Sequence, residues 1–296
     1  MGVALLEQAV AQTCTDAGAR WLAERCRAIA AGLPGPQVGL AFSAAPRRAP
    51  PQVAAGSAAG AAADVSAELC QRFERELAIP IAVWSHADRV RVRLLLALPS
   101  ADVATYVEQL DQLHAYGDMG EQVALYRALP LLADPPAHRA RAAEGVRSNM
   151  RSLFDAVALD NPYPAAQLDN PSFNQMVLKA LFVGAPLYRM VGLAGRVNAD
   201  LSRMLMDYAA ERRAASRRVP VELWRPLSLD ADAQAQQVLS SALTDPDRFT
   251  RLGAALACQA SDVARRWLQD KKELEVELVA GQWDYRKLVE EVSRQP

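Results

Sequence analysis

The densest group of polar side chains lies in the middle of the sequence. It begins with four charged residues at spacings of three and four, namely Glu144, Arg147, Arg151 and Asp155. This spacing places all four on one face if residues 137–159 form a single helix. Guanidinium and carboxylate groups on one face could hold a polar ligand, or they could form ordinary surface salt bridges.

Two following segments extend this group. A turn with two prolines carries Asn161 and Tyr163, and the next predicted helix carries Asn174 and Lys179 among apolar neighbours. A buried amide needs hydrogen-bond partners, so the two asparagines form either a structural clip or part of a ligand pocket. If Lys179 is desolvated, it could bind an anion or form a Schiff base. Otherwise its ammonium group simply extends to solvent. The ligand-binding candidates are Arg147, Arg151, Asp155, Asn161, Tyr163, Asn174 and Lys179.

A second cluster is purely basic. It consists of Arg212, Arg213, Arg217 and Arg218. These arginines lie at the C-terminal end of a helix that we expect to begin after Asn198. Positive charge at that end complements the helix dipole. The cluster is therefore either a patch for an anion or an acidic partner, or a stabilising helix end.

Signatures of catalysis are missing from the sequence. It contains no G-x-G-x-x-G, no phosphate-binding G-x-x-x-x-G-K-[ST], no G-x-S-x-G and no D-D-x-x-D motif. The three histidines and four cysteines do not have the spacing of zinc ligands. We therefore expect no metal and no cofactor, and a non-enzymatic role is favoured over an enzymatic one.

The overall composition argues against two classes of partner. The 296 residues include 33 basic and 34 acidic ones, a formal net charge of −1, so the general positive field of a nucleic-acid binder is missing. No apolar stretch is long enough to predict a transmembrane segment. The four cysteines form no disulfide-like framework, which favours a cytoplasmic protein.

The elements that must position these residues are predicted to be helices. Alanine is abundant, and segments of ten to fifteen residues are separated by proline or glycine, with Ser85, Asp118 and Asn198 as predicted N-caps. This rhythm predicts an all-α fold, an irregular HEAT-like stacked helical array similar to an α-solenoid. The predicted divisions are a helical segment over 1–31, a Pro/Gly/Ala-rich linker or long loop over 32–60, a helical domain over 61–225 and HEAT-like helices over 226–296.

Several stretches resemble those of EboA-domain proteins. The most specific are LDNPYP at 159–164 and FNQMVLKA at 173–180, followed by VGL at 191–193, LMDYAAER at 205–212 and VPVELW at 219–224. Upstream, VALYRALPLL at 123–132 and AEGVRSN at 143–149 fit the same pattern, so the resemblance covers about residues 85–225.

The resemblance implies a setting for the protein and no mechanism. The family is associated with a cluster for the biosynthesis and traffic of a secondary metabolite, whose other members resemble a membrane prenyltransferase, a sugar-phosphate-cyclase-like enzyme and metal-dependent hydrolases and isomerases. The leading prediction is a non-catalytic binding or scaffolding component, whose partners are a small-molecule metabolite and other proteins of the cluster. The alternatives are an enzyme with a pocket around Asn161 and Lys179 and, less favoured by the charge, a HEAT-like nucleic-acid-binding protein.

Overall fold

The protein is built from α-helices, as the composition predicts. The structure, a computed structural model, describes residues 1–53, 63–229 and 232–295. Within these ranges it contains seventeen α-helices and five short 3-10 helices, and the nearest approach to a sheet is an isolated β-bridge between Cys14 and Pro51. None of the helices in the described ranges combines the length and the apolar character needed to cross a membrane.

The chain divides into two compact units, Met1–Leu168 and Asp169–Pro296. The all-α class is confirmed, whereas the HEAT-like stacking and the predicted domain boundaries stay predictions. Unit one contains α1 (Gly2–Thr13), α2 (Asp16–Ala30), α3 (Gly35–Arg48), α4 (Ala67–Leu77), α5 (His86–Leu95), α6 (Val103–Tyr116), α7 (Met119–Ala128), α8 (Arg139–Arg147), α9 (Arg151–Ala158) and α10 (Tyr163–Gln167). Unit two contains α11 (Asn170–Phe182), α12 (Ala199–Ala214), α13 (Ala233–Ala242), α14 (Arg248–Gln259), α15 (Arg266–Gln269), α16 (Lys272–Ala280) and α17 (Tyr285–Ser293).

Helix α5 lies at the centre of unit one. It packs against α1, α2, α3 and α7, and seven of its ten residues are buried. Three of the buried residues are charged: Asp88 pairs with Arg127 of α7, Arg91 lies near Glu121 of α7, and Arg89 donates to the carbonyl oxygen of Trp84. A buried charge is tolerated only when it has such partners.

The N-caps predicted at Ser85, Asp118 and Asn198 are confirmed. Ser85 and Asp88 form a reciprocal capping box on α5, and Asp118 and Glu121 form another on α7. Asn198 caps α12 by accepting from the backbone N–H of Leu201. These signals are local, and local hydrogen bonds of the first helical turn are enough to fix each helix start.

The helix predicted over residues 137–159 is wrong as a single element. The structure has two helices, α8 and α9, separated by three residues in which Ser148 and Met150 have extended backbones and Ser148 Oγ accepts from Met150 N. The break allows α8 to pack against α9, where a Cβ atom at Gly145 would lie 2.7 Å from side-chain atoms of Tyr126 and Val157. The four predicted charged residues therefore do not form one helical face.

The linker predicted over residues 32–60 is replaced in its first half by α3. Pro36 occupies the first helical turn, where its missing N–H costs nothing, and Val38, Phe42 and Ala45 are buried at helical spacing. Residues 54–62, in the second half of the predicted linker, lie outside the described residues. A composition rich in glycine and proline therefore did not prevent helix formation here.

Unit two is organised around α14, which packs against α13, α15, α16 and α17. Nine of its twelve residues are buried, and most of them are small. At Gly253 the backbone of a neighbouring segment comes so close that an added Cβ atom would lie 2.3 Å from the carbonyl oxygen of Val221. The small-residue sequence of α14 is therefore required by close packing.

The close approach of Gly253 to the carbonyl oxygen of Val221 predicts that an added methyl group at this position is destabilising. Gly253→Ala should lower the free energy of unfolding by about 2–4 kcal/mol, because a backbone oxygen cannot move aside as a flexible side chain can. The control is Gly195→Ala, where no atom lies within 4 Å of the added Cβ. Urea denaturation of the three proteins measures the difference, and equal stabilities for the two variants would contradict the proposed packing.

Candidate functional site

A mostly apolar pocket opens in unit one between α3 and α6. Its volume is about 410 Å³, within the range of pockets that hold small organic molecules. The lining residues are Gly35, Pro36, Val38, Gly39, Leu40, Phe42, Ser43, Gln109, Gln112, Leu113, Tyr116, Gly117 and Glu121. One wall is thus the helix that replaces the predicted linker.

The local sequence explains why α3 can form an apolar wall. Residues 28–46 include no charged side chain, so the face of α3 that does not enter the core is also poor in charge. Glycines at positions 35 and 39 leave room along that face, since an added Cβ at Gly39 would meet Leu113 only at 3.9 Å. Two apolar side chains at the mouth are largely exposed, Leu40 at 72% and Tyr116 at 89%.

Glu121 places a carboxylate against this apolar space. The residue is 6% exposed, and its Oε2 accepts a hydrogen bond from the backbone N–H of Asp118 at 3.0 Å. The other oxygen, Oε1, lies 3.8 Å from Nη2 of Arg91, which is too far for a hydrogen bond. Arg91 in turn donates from Nε to the carbonyl oxygen of Phe42 at 3.5 Å, and its guanidinium lies over the Phe42 ring.

Gln109 is the second polar group of interest in the pocket lining. Its Oε1 atom is buried and has no hydrogen-bond partner in the structure. Buried amide oxygens are normally paired, so an unpaired one beside a pocket is a specific place for a ligand donor. The terminal torsion of glutamine is soft, so a small rotation can present the amide to a bound molecule.

The predicted ligand-binding residues are divided between the two units. Arg147, Arg151, Asp155, Asn161 and Tyr163 belong to unit one, whereas Asn174 and Lys179 belong to unit two. None of the seven lines the pocket between α3 and α6. Their role in ligand binding stays a prediction.

The charged residues of this set make local contacts. Arg151 Nε lies 2.6 Å from Asp155 Oδ1 within α9, and Glu144 pairs with Arg141 at 2.5 Å within α8. Arg147 is exposed at the end of α8. These pairs are the surface salt bridges that the sequence left as an alternative.

Asn161 serves as a structural clip. Its Nδ2 donates to the carbonyl oxygens of Tyr126 and Ala156 at 3.1 and 3.0 Å, and its Oδ1 accepts from the backbone N–H of Tyr163 at 3.0 Å. The residue is 3% exposed, so the bonds satisfy a buried amide and join α7, α9 and the start of α10. The Tyr163 hydroxyl donates to the carbonyl oxygen of Pro135, and burial raises its pKa to about 12.

Asn174 has an analogous role in unit two. Its amide and that of Asn198 exchange two hydrogen bonds, of 3.1 and 2.9 Å, which join α11 to the N-cap of α12. The buried amide of α11 is thus paired with the residue that begins the next helix. Lys179, one turn further along α11, is half-buried, and this burial lowers the pKa of its ammonium group.

Three arginines of the predicted basic cluster have partners within unit two. Arg212 donates twice to the carbonyl oxygen of Arg218, at 2.9 and 2.7 Å, which closes the end of α12. Arg213 and Arg218 lie 3.8 and 3.5 Å from the carboxylates of Asp245 and Asp247, whereas Arg217 is exposed. A binding role for this cluster stays a prediction beside its structural one.

Glu222 is a buried carboxylate that the sequence analysis missed. Its two oxygens accept from the backbone N–H groups of Leu187 and Tyr188 at 2.7 and 2.6 Å. Burial raises its pKa to about 7, although these two bonds and the charge of Arg225 act in the opposite direction. The detectable signal was one acidic residue inside an otherwise apolar stretch, VPVELW at 219–224.

The Asn161 clip predicts a large loss of stability on truncation. Asn161→Ala removes three buried hydrogen bonds, two to carbonyl oxygens and one from the backbone N–H of Tyr163, which should cost about 3 kcal/mol of unfolding free energy. Asn149→Ala, at an exposed position between α8 and α9, is the control and should change stability by less than about 0.5 kcal/mol. Thermal and urea unfolding test this prediction. Similar free energies of unfolding for the two variants would contradict a structural role of Asn161.

The raised pKa of Glu222 predicts a pH-dependent stability. The folded state holds this proton more tightly than the unfolded state, so the contribution is complete below about pH 4.5 and is lost as the pH rises through about 7. The free energy of unfolding of the wild type should therefore fall between pH 5 and 8 relative to Glu222→Gln, by on the order of 3 kcal/mol. Glu211→Gln, an exposed change on α12, should follow the wild-type curve, and parallel curves for all three proteins would contradict the prediction.

Comparison with known proteins identifies a family for the chain. No curated protein and no protein of solved structure matches the chain. One family model, described as metabolite traffic protein EboA, matches residues 3–228. The match includes the N-terminal helices that the sequence resemblance did not reach, and with them α3 and both walls of the pocket. The chain therefore belongs to the EboA family.

Proposed function

We propose that this protein is a non-catalytic binding protein of a cytoplasmic metabolite traffic system, and that its ligand occupies the pocket between α3 and α6. The observation that carries the proposal is an apolar pocket of about 410 Å³ inside the family-matched part of the chain. The family description supports a role in metabolite traffic. The pocket supports the more specific role of holding the metabolite itself.

The pocket walls supply the affinity that such a role requires. The pocket lining is mostly apolar, and each Å² of apolar surface that a ligand removes from water stabilises the complex by about 25 cal/mol. The exposed side chains of Leu40 and Tyr116 leave the mouth apolar as well. A ligand can therefore enter and leave without passing a charged rim, which suits transfer more than permanent retention.

The buried cysteines favour binding over catalysis. Cys14, Cys26 and Cys258 are buried, and burial raises the pKa of each thiol. Thiols that resist ionisation are poor nucleophiles. All four cysteines are free, which supports the cytoplasmic, reducing setting of the proposal.

Other proteins of the same cluster are the proposed partners in transfer. The outer face of α3 is uncharged over residues 35–46, and its exposed side chain Leu40 borders the pocket mouth. A partner protein that contacted this face could receive the ligand directly. A scaffolding role is compatible with the same surface.

A matched pair of substitutions at Gly39 tests the proposal. Gly39→Ala adds a methyl group in ordinary contact with Leu113, so the pocket should still bind, and the helix should gain about 0.5–1 kcal/mol. Gly39→Phe should fill the pocket and weaken binding at least tenfold. Fluorescence titration with the neutral apolar dye N-phenyl-1-naphthylamine measures the dissociation constants, and circular dichroism confirms that both variants are helical.

The proposal would be overturned by either of two results. One is that the wild-type protein does not bind the dye or apolar compounds that compete with it. The other is that the folded Gly39→Phe variant binds the dye as tightly as Gly39→Ala, which would place the ligand elsewhere.

A further inference from the structure

We propose that the pocket selects uncharged apolar molecules that carry a hydrogen-bond donor, such as a hydroxyl group, and rejects apolar carboxylates and phosphates. This inference rests on the proposed function, because it names the chemical class of ligand for the same pocket. It follows from which polar residues line the pocket and which do not.

The charged residue of the pocket lining is acidic. Glu121 lines the pocket, and its Oε1 atom makes no hydrogen bond to Arg91 at a distance of 3.8 Å. That oxygen can accept a hydrogen bond from a ligand, and bonds to a charged acceptor are among the stronger ones. A ligand carboxylate or phosphate at the same place would meet a like charge.

Arg91 does not offer an anion a substitute site. It is 7% exposed, and it is not among the lining residues. Its guanidinium is committed to the Phe42 carbonyl oxygen, the Phe42 ring and the neighbourhood of Glu121. An anion in the pocket therefore meets the carboxylate before it can reach the guanidinium.

The same arginine lowers the advantage of a cationic ligand. Because Arg91, 3.8 Å away, offsets part of the charge of Glu121, the attraction of an ammonium group to this carboxylate does not repay the loss of its hydration. A hydroxyl group loses less hydration on entering an apolar space, and it supplies the single donor that Glu121 can use.

Gln109 is a second, independent indication that the ligand carries a hydrogen-bond donor. Its Oε1 is a buried acceptor without a partner, so a ligand donor near it would satisfy an atom that is otherwise unpaired. The remaining polar groups of the lining are less selective. Gln112 donates to Glu108 at 3.5 Å, and Ser43 and Tyr116 lie at the exposed mouth.

Competition between matched ten-carbon compounds tests the inference with the full chain. Decan-1-ol and decanoate differ at the head group, and each is titrated against bound N-phenyl-1-naphthylamine. We expect decan-1-ol to displace the dye at a concentration at least tenfold lower than decanoate. Because decanoate is also the less apolar compound, any apolar pocket would bind it less tightly than decan-1-ol. The decisive measurement is therefore how a substitution at Glu121 changes the ratio of the two displacing concentrations.

Glu121→Gln removes the charge and keeps the helix cap, and circular dichroism with urea unfolding checks that the variant folds although Arg91 loses its charged partner. A glutamine at this helix position can still reach back to the backbone N–H of Asp118, so the capping box survives. We expect decanoate to bind at least tenfold more tightly to this variant, and the preference for the alcohol to fall accordingly. Glu108→Gln is the control, an exposed carboxylate of α6 near the same pocket, and its ratio should equal that of the wild type.

The outcomes separate the two proposals. The selectivity is overturned, and the binding function stands, if the wild type binds the dye but binds decan-1-ol and decanoate with equal affinity. The same holds if Glu121→Gln leaves the ratio of these two affinities unchanged. If the dye does not bind to the wild type, the proposed function itself fails.

Discussion

The structure of unit one depends on a helix that is buried on every side and still carries charge. Helix α5 brings Asp88, Arg89 and Arg91 into the core, and each must be compensated there because an isolated buried charge is prohibitively costly. Asp88 caps its own helix and also pairs with Arg127, and Arg91 lies against Glu121. Both ion pairs lead to α7, so the charges of α5 fix the position of the helix that carries the pocket carboxylate.

The parts of this fold that could be predicted are those decided within a few residues. The caps at Ser85, Asp118 and Asn198 and the all-α class depend on local hydrogen bonds and helix propensity, which are visible in the sequence. The amides at Asn161 and Asn174 were recognised as groups that need partners. Their partners, Tyr126 and Ala156 for one and Asn198 for the other, depend on packing that spacing alone does not define.

The two errors have one physical cause, which is that tertiary contacts outweighed local preference. Nothing in the charges of residues 137–159 marks the break at 148–150, which is explained by the close approach of Gly145 to Tyr126 and Val157. In α3, burial of Val38 and Phe42 against the core outweighs the low helix propensity of glycine and proline. The pocket was missed for the same reason, since one of its walls lies in a segment that composition described as a linker.

The dual contacts of Glu121 connect the core to the proposed ligand site. Its Oε2 is held by the N-terminus of α7 and Arg91 lies 3.8 Å from its Oε1, so the carboxylate that lines the pocket has little freedom to move. A polar group held in this way loses little entropy when a ligand binds, which is the general benefit of a preorganised site. The capping box uses one carboxylate oxygen and leaves the other available, and a glutamate at this helix position can therefore stabilise the fold and recognise a donor at the same time. Glu121, in the first turn of α7, is thus also the residue that gives the otherwise apolar pocket its proposed chemical preference.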